Sequence, residues 1–98
     1  MTDIHLRTAV RLEARLAKRW EIDQSAPRDI PVQRSHLLAG GRQMGTVSKR
    51  GYNGHSLWRG SVAPLVPGTH EDFVTEAEAK RYVGRLVARY LAPFGELF

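Results

Sequence analysis

Apolar residues recur near helical spacing at the start of the chain. Leu6, Ala9, Val10, Leu16, Ala17 and Trp20 form one stripe of a helix expected from about Asp3 to Trp20. Arg7, Arg11 and Arg15 stand four apart beside that stripe, and Lys18 or Arg19 continues the row. The stripe is rich in Ala and short of the bulky anchors that a membrane-surface helix uses. The pattern then breaks. Residues 21–41 contain Pro27, Pro31 and a terminal Gly40-Gly41, which read as a linker whose Ile30, Val32, Leu37 and Leu38 dock on the core.

Over residues 42–63 the period changes from helical to alternating. Asn53-Gly54 between extended-looking residues is a strong two-residue hairpin signal, because both central positions need positive φ. With the turn there, Tyr52 faces His55, Arg50 faces Leu57 and Ser48 faces Arg59. Alternation puts Val47, Trp58 and Val62 on one face, with Gly45, Gly51 and Gly60 leaving room for a helix. Thr46, Ser48, Arg50, Tyr52, His55, Leu57, Arg59 and Ser61 fall on the other, polar face. A slip of one residue would exchange the two faces.

Pro67-Gly68 predicts a turn, and His70 to Val74 a short third strand. Thr75 and Glu78 then form a capping box that starts a second helix. Ala79, Tyr82, Val83, Leu86, Val87, Tyr90 and Leu91 give it a long apolar face. Arg81, Arg85 and Arg89 line its far side, and Pro93 and Gly95 close it. The expected fold is α+β: an N-terminal helix, then a three-stranded antiparallel sheet packed against a long C-terminal helix. Residues 1–98 form a single domain, with the helix at 1–20, the linker at 21–41 and the sheet-plus-helix unit at 42–98. The apolar ending "FGELF" either folds back or joins a dimer contact.

Charge adds a location to this picture. No carboxylate lies between Asp29 and Glu71, whereas Arg34, Arg42, Lys49, Arg50 and Arg59 do. The flanking segments balance at ten basic against ten acidic residues, so the formal net charge of +5 falls in the middle of the chain. That places an anion-binding surface on the hairpin as one reading and a solvated sheet edge as the other.

Other chemistry finds little support in the residues. The chain has no cysteine, so thiolate metal sites and cysteine nucleophiles are excluded. Four histidines show no metal-ligand spacing, and "LAGGRQMG" lacks the spacing of a phosphate-binding loop. Glu71 and Asp72 are neighbours on an expected strand, so they point to opposite faces and cannot act as paired carboxylates. No enzyme activity, cofactor or metal is expected. With no apolar run of membrane-spanning length and a start too charged for a secretory signal, a cytoplasmic protein is expected.

"GTV", then "SLWRGSV", then "FVTEAEA" resembles the three-stranded-sheet-plus-helix DNA-binding domains of plant ethylene-response factors. It is similar also to the arm-binding domains of phage integrases. Gly45, Val47, Trp58, Phe73, Thr75, Glu78 and Ala79 carry the likeness, which covers about residues 42–91. It implies a sheet that enters the major groove while the helix packs behind it. The functional expectation is therefore a small basic DNA-binding protein of phage or mobile-element type. Its candidate contacts are Arg42, Ser48, Arg50, Tyr52, His55 and Arg59 on the hairpin. The alternative is a protein-interaction module or homodimer that grips an acidic protein partner with its basic helices.

Overall fold

Spacings of three and four residues put Ala9, Leu12 and Leu16 on one side of the first helix, α1 (Asp3–Leu16), and all three are buried. The computed structural model describes residues 3–23, 34–52, 55–62 and 68–94, of which 3–6, 51, 52, 55 and 94 are described by their backbone. Val10, expected in the apolar stripe, is 61% exposed. It lies two residues from Leu12, about 200° around the helix, and Leu12 has the inward side. The helix also ends four residues earlier than expected. The amides of Lys18 and Arg19 reach back only three residues, to the carbonyls of Arg15 and Leu16 at 3.2 and 2.9 Å. That tightened turn stops α1 and releases Trp20 into a strand.

Among the described residues five strands follow: β1 (Trp20–Ile22), β2 (Arg34–Ala39), β3 (Arg42–Tyr52), β4 (His55–Ser61) and β5 (His70–Phe73). They pair antiparallel in the order β1-β2-β3-β4-β5. The fold class is α+β as expected, but the sheet has five strands rather than three. The expected linker at 21–41 supplies most of the difference. Gly40 and Gly41, read as the end of a linker, have φ of 60° and 78° and form the two-residue turn of a β2–β3 hairpin. Within β2, Ser35, Leu37 and Ala39 are buried, while Arg34 is exposed and His36 and Leu38 are half-buried. Ile30 and Val32, expected to dock on the core, lie outside the described residues.

The hairpin register is the expected one. Tyr52 pairs with His55, Arg50 with Leu57 and Ser48 with Arg59. Its turn residues Asn53-Gly54 lie outside the described residues. Between β2 and β3 the register shifts, with Leu37 opposite Gly45 and Leu38 opposite Gln43. Met44 is the extra residue, and it is buried beside Gly45 on the core side.

Thr75 caps the second helix, α2 (Glu76–Leu91): its Oγ1 accepts from the Glu78 amide at 3.2 Å and donates to Glu78 Oε1 at 2.9 Å. A 3₁₀ turn, Ala92–Phe94, follows directly; of the terminal "FGELF", residues 95–98 lie outside the described residues. The inward face of α2 holds Ala79, Val83, Val87 and Leu91, as the periodicity predicts, and Gly84 and Ala88 are buried as well. Tyr90, expected on this face, is 46% exposed.

Both helices lie on one side of the sheet. α2 crosses β3, β4 and β5, and α1 packs beside α2 and against β2. One core joins Leu12 and Leu16 of α1, Leu37, Met44 and Val47 of the sheet, and Val83 and Val87 of α2. The close approach of α2 depends on two glycines. A Cβ at Gly45 would lie 2.3 Å from Val83 Cγ1, and one at Gly60 would lie 2.9 Å from Val83 Cγ2. Val83 thus sits with one methyl over each missing side chain.

Candidate nucleic-acid interface

The strand pairings place the polar side chains of the opposite face on a grid. One row crosses the sheet as Arg34, Ser48, Arg59 and Asp72, each paired with the next. The adjacent row runs His36, Thr46, Ser61 and His70, with Glu21 opposite His36. In the other direction come Arg50 opposite Leu57, then Tyr52 opposite His55. Among the described residues no helix covers this face, because α1 lies on the helix side with α2.

Length differences between strands create a second feature. β3 has eleven residues and β4 seven, but β2 pairs with β3 only as far as Ser48, and β5 pairs with β4 only from Trp58 onward. Residues 50–52 and 55–57 therefore pair with one another and with no other described strand, and Lys49 pairs with Trp58 at their base. The result is a two-stranded ribbon that, among the described residues, continues past the strands on either side of it. Lys49 and Arg50 are exposed at its base, on opposite faces, with Lys49 opposite the half-buried Trp58.

The six expected contact residues separate into three groups. Ser48 and Arg59 sit side by side where the ribbon joins the sheet, and Arg50 is one step outward on the same face. Tyr52 and His55 form the last pair of the ribbon, and their side chains lie outside the described residues. Arg42 does not join them. It pairs with Ala39 beside the Gly40-Gly41 turn, eight residues from Arg50, roughly 27 Å along an extended strand.

Electrostatics changes the reading of this face more than geometry does. Arg59 is engaged by Asp72, with Nε–Oδ1 at 2.9 Å and Nη2–Oδ2 at 3.3 Å. The hydrogen bond from Arg59 holds the Asp72 carboxyl below the usual carboxylate range, and the charges of His70 and Arg50 act in the same direction. The guanidinium of Arg59 is raised above its ordinary value, chiefly by the same bond. On the other side of the row, Asp23 Oδ2 lies 3.2 Å from His36 Nε2 and 3.5 Å from Arg34 Nη1. His36 Nδ1 is 3.0 Å from Thr46 Oγ1, which also accepts from Gln43 Nε2 at 3.0 Å. The carboxylates come from outside the acid-free stretch of sequence, carried in by β1 and β5. Arg34, Arg50 and Arg59 are thereby matched on this face by Glu21, Asp23 and Asp72.

The positive charge collects instead on the helix layer. Among the described side chains, α1 and the turn after it carry five basic residues and α2 carries four, against Glu13, Glu76 and Glu78. Arg81, Arg85 and Arg89 are exposed on the side of α2 opposite its buried face, and Arg7 and Lys18 are exposed on α1 and its turn. Arg34 falls in the expected linker, and only the β2–β3 pairing brings it beside Ser48.

Among the described residues, no cluster of three or more His, Cys, Asp or Glu is arranged to hold a metal ion. No helix among them is long and apolar enough to cross a membrane. No family model matches the chain, and no curated protein or solved structure is significantly similar to it.

Proposed function

We propose that this is a non-enzymatic nucleic-acid-binding protein that contacts duplex DNA with the β3–β4 ribbon. The observation that carries the reading is the β3–β4 ribbon, which among the described residues continues past its pairing with β2 and β5, with Lys49 and Arg50 exposed at its base. An isolated two-stranded hairpin is marginal in water, so a ribbon that outruns its sheet gains nothing for stability. Its dimensions suit the major groove of B-DNA, which admits a two-stranded β-ribbon. Lys49 and Arg50 on opposite faces of the ribbon would each meet one wall of that groove, where the phosphates lie. The resemblance to sheet-using DNA-binding domains supports the same mode and the phage or mobile-element setting.

Substituting Lys49→Ala together with Arg50→Ala tests this. Each phosphate contact contributes about 0.9 to the slope of log affinity against log salt, so the double variant should flatten the slope by about 1.8. An unchanged slope and affinity for a random-sequence duplex would show that the ribbon is not the contact.

A further inference from the structure

Of the ribbon's two basic residues, Lys49 lies on the face of the sheet that carries the helices and Arg50 on the other. Arg50 belongs to the open face of the sheet, in line with Ser48 and Thr46. Arg81, Arg85 and Arg89 lie on the outside of α2, which itself covers the other face of the sheet. We propose that the outer surface of the helix layer, centred on those three arginines, is a second duplex-binding surface. One copy of the protein then holds two DNA segments at once. The inference rests on the ribbon reading and goes beyond it.

Charge complementarity selects the occupant. The helix layer has nine described basic side chains against three acidic ones, with Glu71 of β5 also lining the groove beside Arg81 and Arg85, whereas the sheet face is balanced. The α2 arginines stand four residues apart, so they rise about 6 Å per step along one line, a spacing that lets a single row follow one phosphate strand. They are also lightly engaged within the protein. Arg85 Nε lies 3.7 Å from Glu13 Oε1, with the Arg85 side chain 53% exposed, a pair too open to withhold the guanidinium from a phosphate. Arg7 and Lys18 are exposed on the neighbouring helix and its turn and add to the positive charge of the layer.

DNA stiffness then separates the two sites. The body is 26 × 22 Å in its shorter dimensions. Duplex DNA has a persistence length of about 50 nm, so one short segment cannot turn round so small a body to reach both faces. The helix-layer duplex must be a second molecule or a distant part of the same one.

The test uses the full chain with a random-sequence DNA duplex fixed to beads and an identical labelled duplex free in solution, at about 50 mM salt, where phosphate contacts are strongest. Native protein should capture the labelled duplex on the beads. The triple variant R81A/R85A/R89A should lose that capture several-fold or more while still binding a single duplex through the ribbon. Its circular dichroism and melting point should match the native protein, since all three positions are exposed. No capture by the native protein, despite tight binding to one duplex, overturns the second surface alone. Undiminished capture by the triple variant also overturns it, and points to a dimer that bridges through two ribbons. Absence of any duplex binding removes the ribbon reading and this inference together.

Discussion

The seating of Val83 on Gly45 and Gly60 can be tested by filling one of the two gaps. Gly45→Ala puts a Cβ 2.3 Å from Val83 Cγ1, where carbon atoms normally rest about 3.5–4.0 Å apart. Val83 cannot swing away, because a valine in a helix is held in one χ1 rotamer about nine times in ten. Its other methyl already faces Gly60, so α2 must lift from the sheet. Overpacking of this kind costs about 1–3 kcal/mol, and relieving a strand glycine returns about 0.5–1 kcal/mol. A net loss of about 1–2 kcal/mol should lower the melting temperature by roughly 5–15 °C in a chain of 98 residues. Val83→Ala alone leaves a cavity in place of two methyl groups, at about 2 kcal/mol. Combined with Gly45→Ala, it makes room for the new Cβ, so the double variant should be more stable than the summed single losses by at least about 1 kcal/mol. Only the 3.1 Å approach to the Ser61 carbonyl remains, and a few tenths of an ångström relieve it. Urea denaturation followed by tryptophan fluorescence measures all three variants. Additive losses, or a neutral Gly45→Ala, would refute the seating. Gly84→Ala is the contrasting control: nothing lies within 4 Å of its new Cβ, so this helix-interior substitution should stabilise by about 0.5–1 kcal/mol.

Two further outcomes follow from single contacts. Thr75→Ala removes the cap from the Glu78 amide and should cost about 1 kcal/mol in the same denaturation assay, whereas Thr75→Ser should cost much less. Asp72→Asn tests the pairing with Arg59. The folded-state pKa of Asp72 is depressed, so its stabilising contribution exists above the unfolded value of about 3.9 and is lost as pH falls through the folded value. The variant should therefore show a shallower loss of stability below about pH 4 than the native protein. Released from its carboxylate, Arg59 should also steepen the salt dependence of DNA binding by up to about 0.9. A salt slope unaffected by this substitution would place DNA elsewhere than on the sheet.

Local signals in the chain were sufficient for several elements. Asn-Gly between alternating segments set the β3–β4 register, and a capping box set the start of α2. Both depend on residues within a turn of each other, which is why they can be read without the rest of the molecule. The short strands were harder. β1 has three residues and β2 six, with Leu38 breaking the alternation at a bulge, so neither shows a clean period. Gly40-Gly41 was the available signal for β2, since two consecutive glycines between extended segments fit a two-residue hairpin turn.

The amino-acid sequence by itself determined the helix faces, the hairpin and its two-sidedness, and the basic rows on both helices. It did not determine where the charge acts. Along the chain, the stretch from Arg34 to Arg59 is wholly basic in its charged residues. In the folded molecule, Asp23 arrives beside Arg34 and Asp72 beside Arg59 through pairings of strands distant in sequence. Coulomb interactions depend on separation in space and weaken beyond about 10 Å at moderate salt, so linear charge runs do not forecast a surface potential. Only the tertiary structure matched the sheet face with carboxylates, carried the ribbon past the described strands beside it, and gave the helix layer the excess of positive charge.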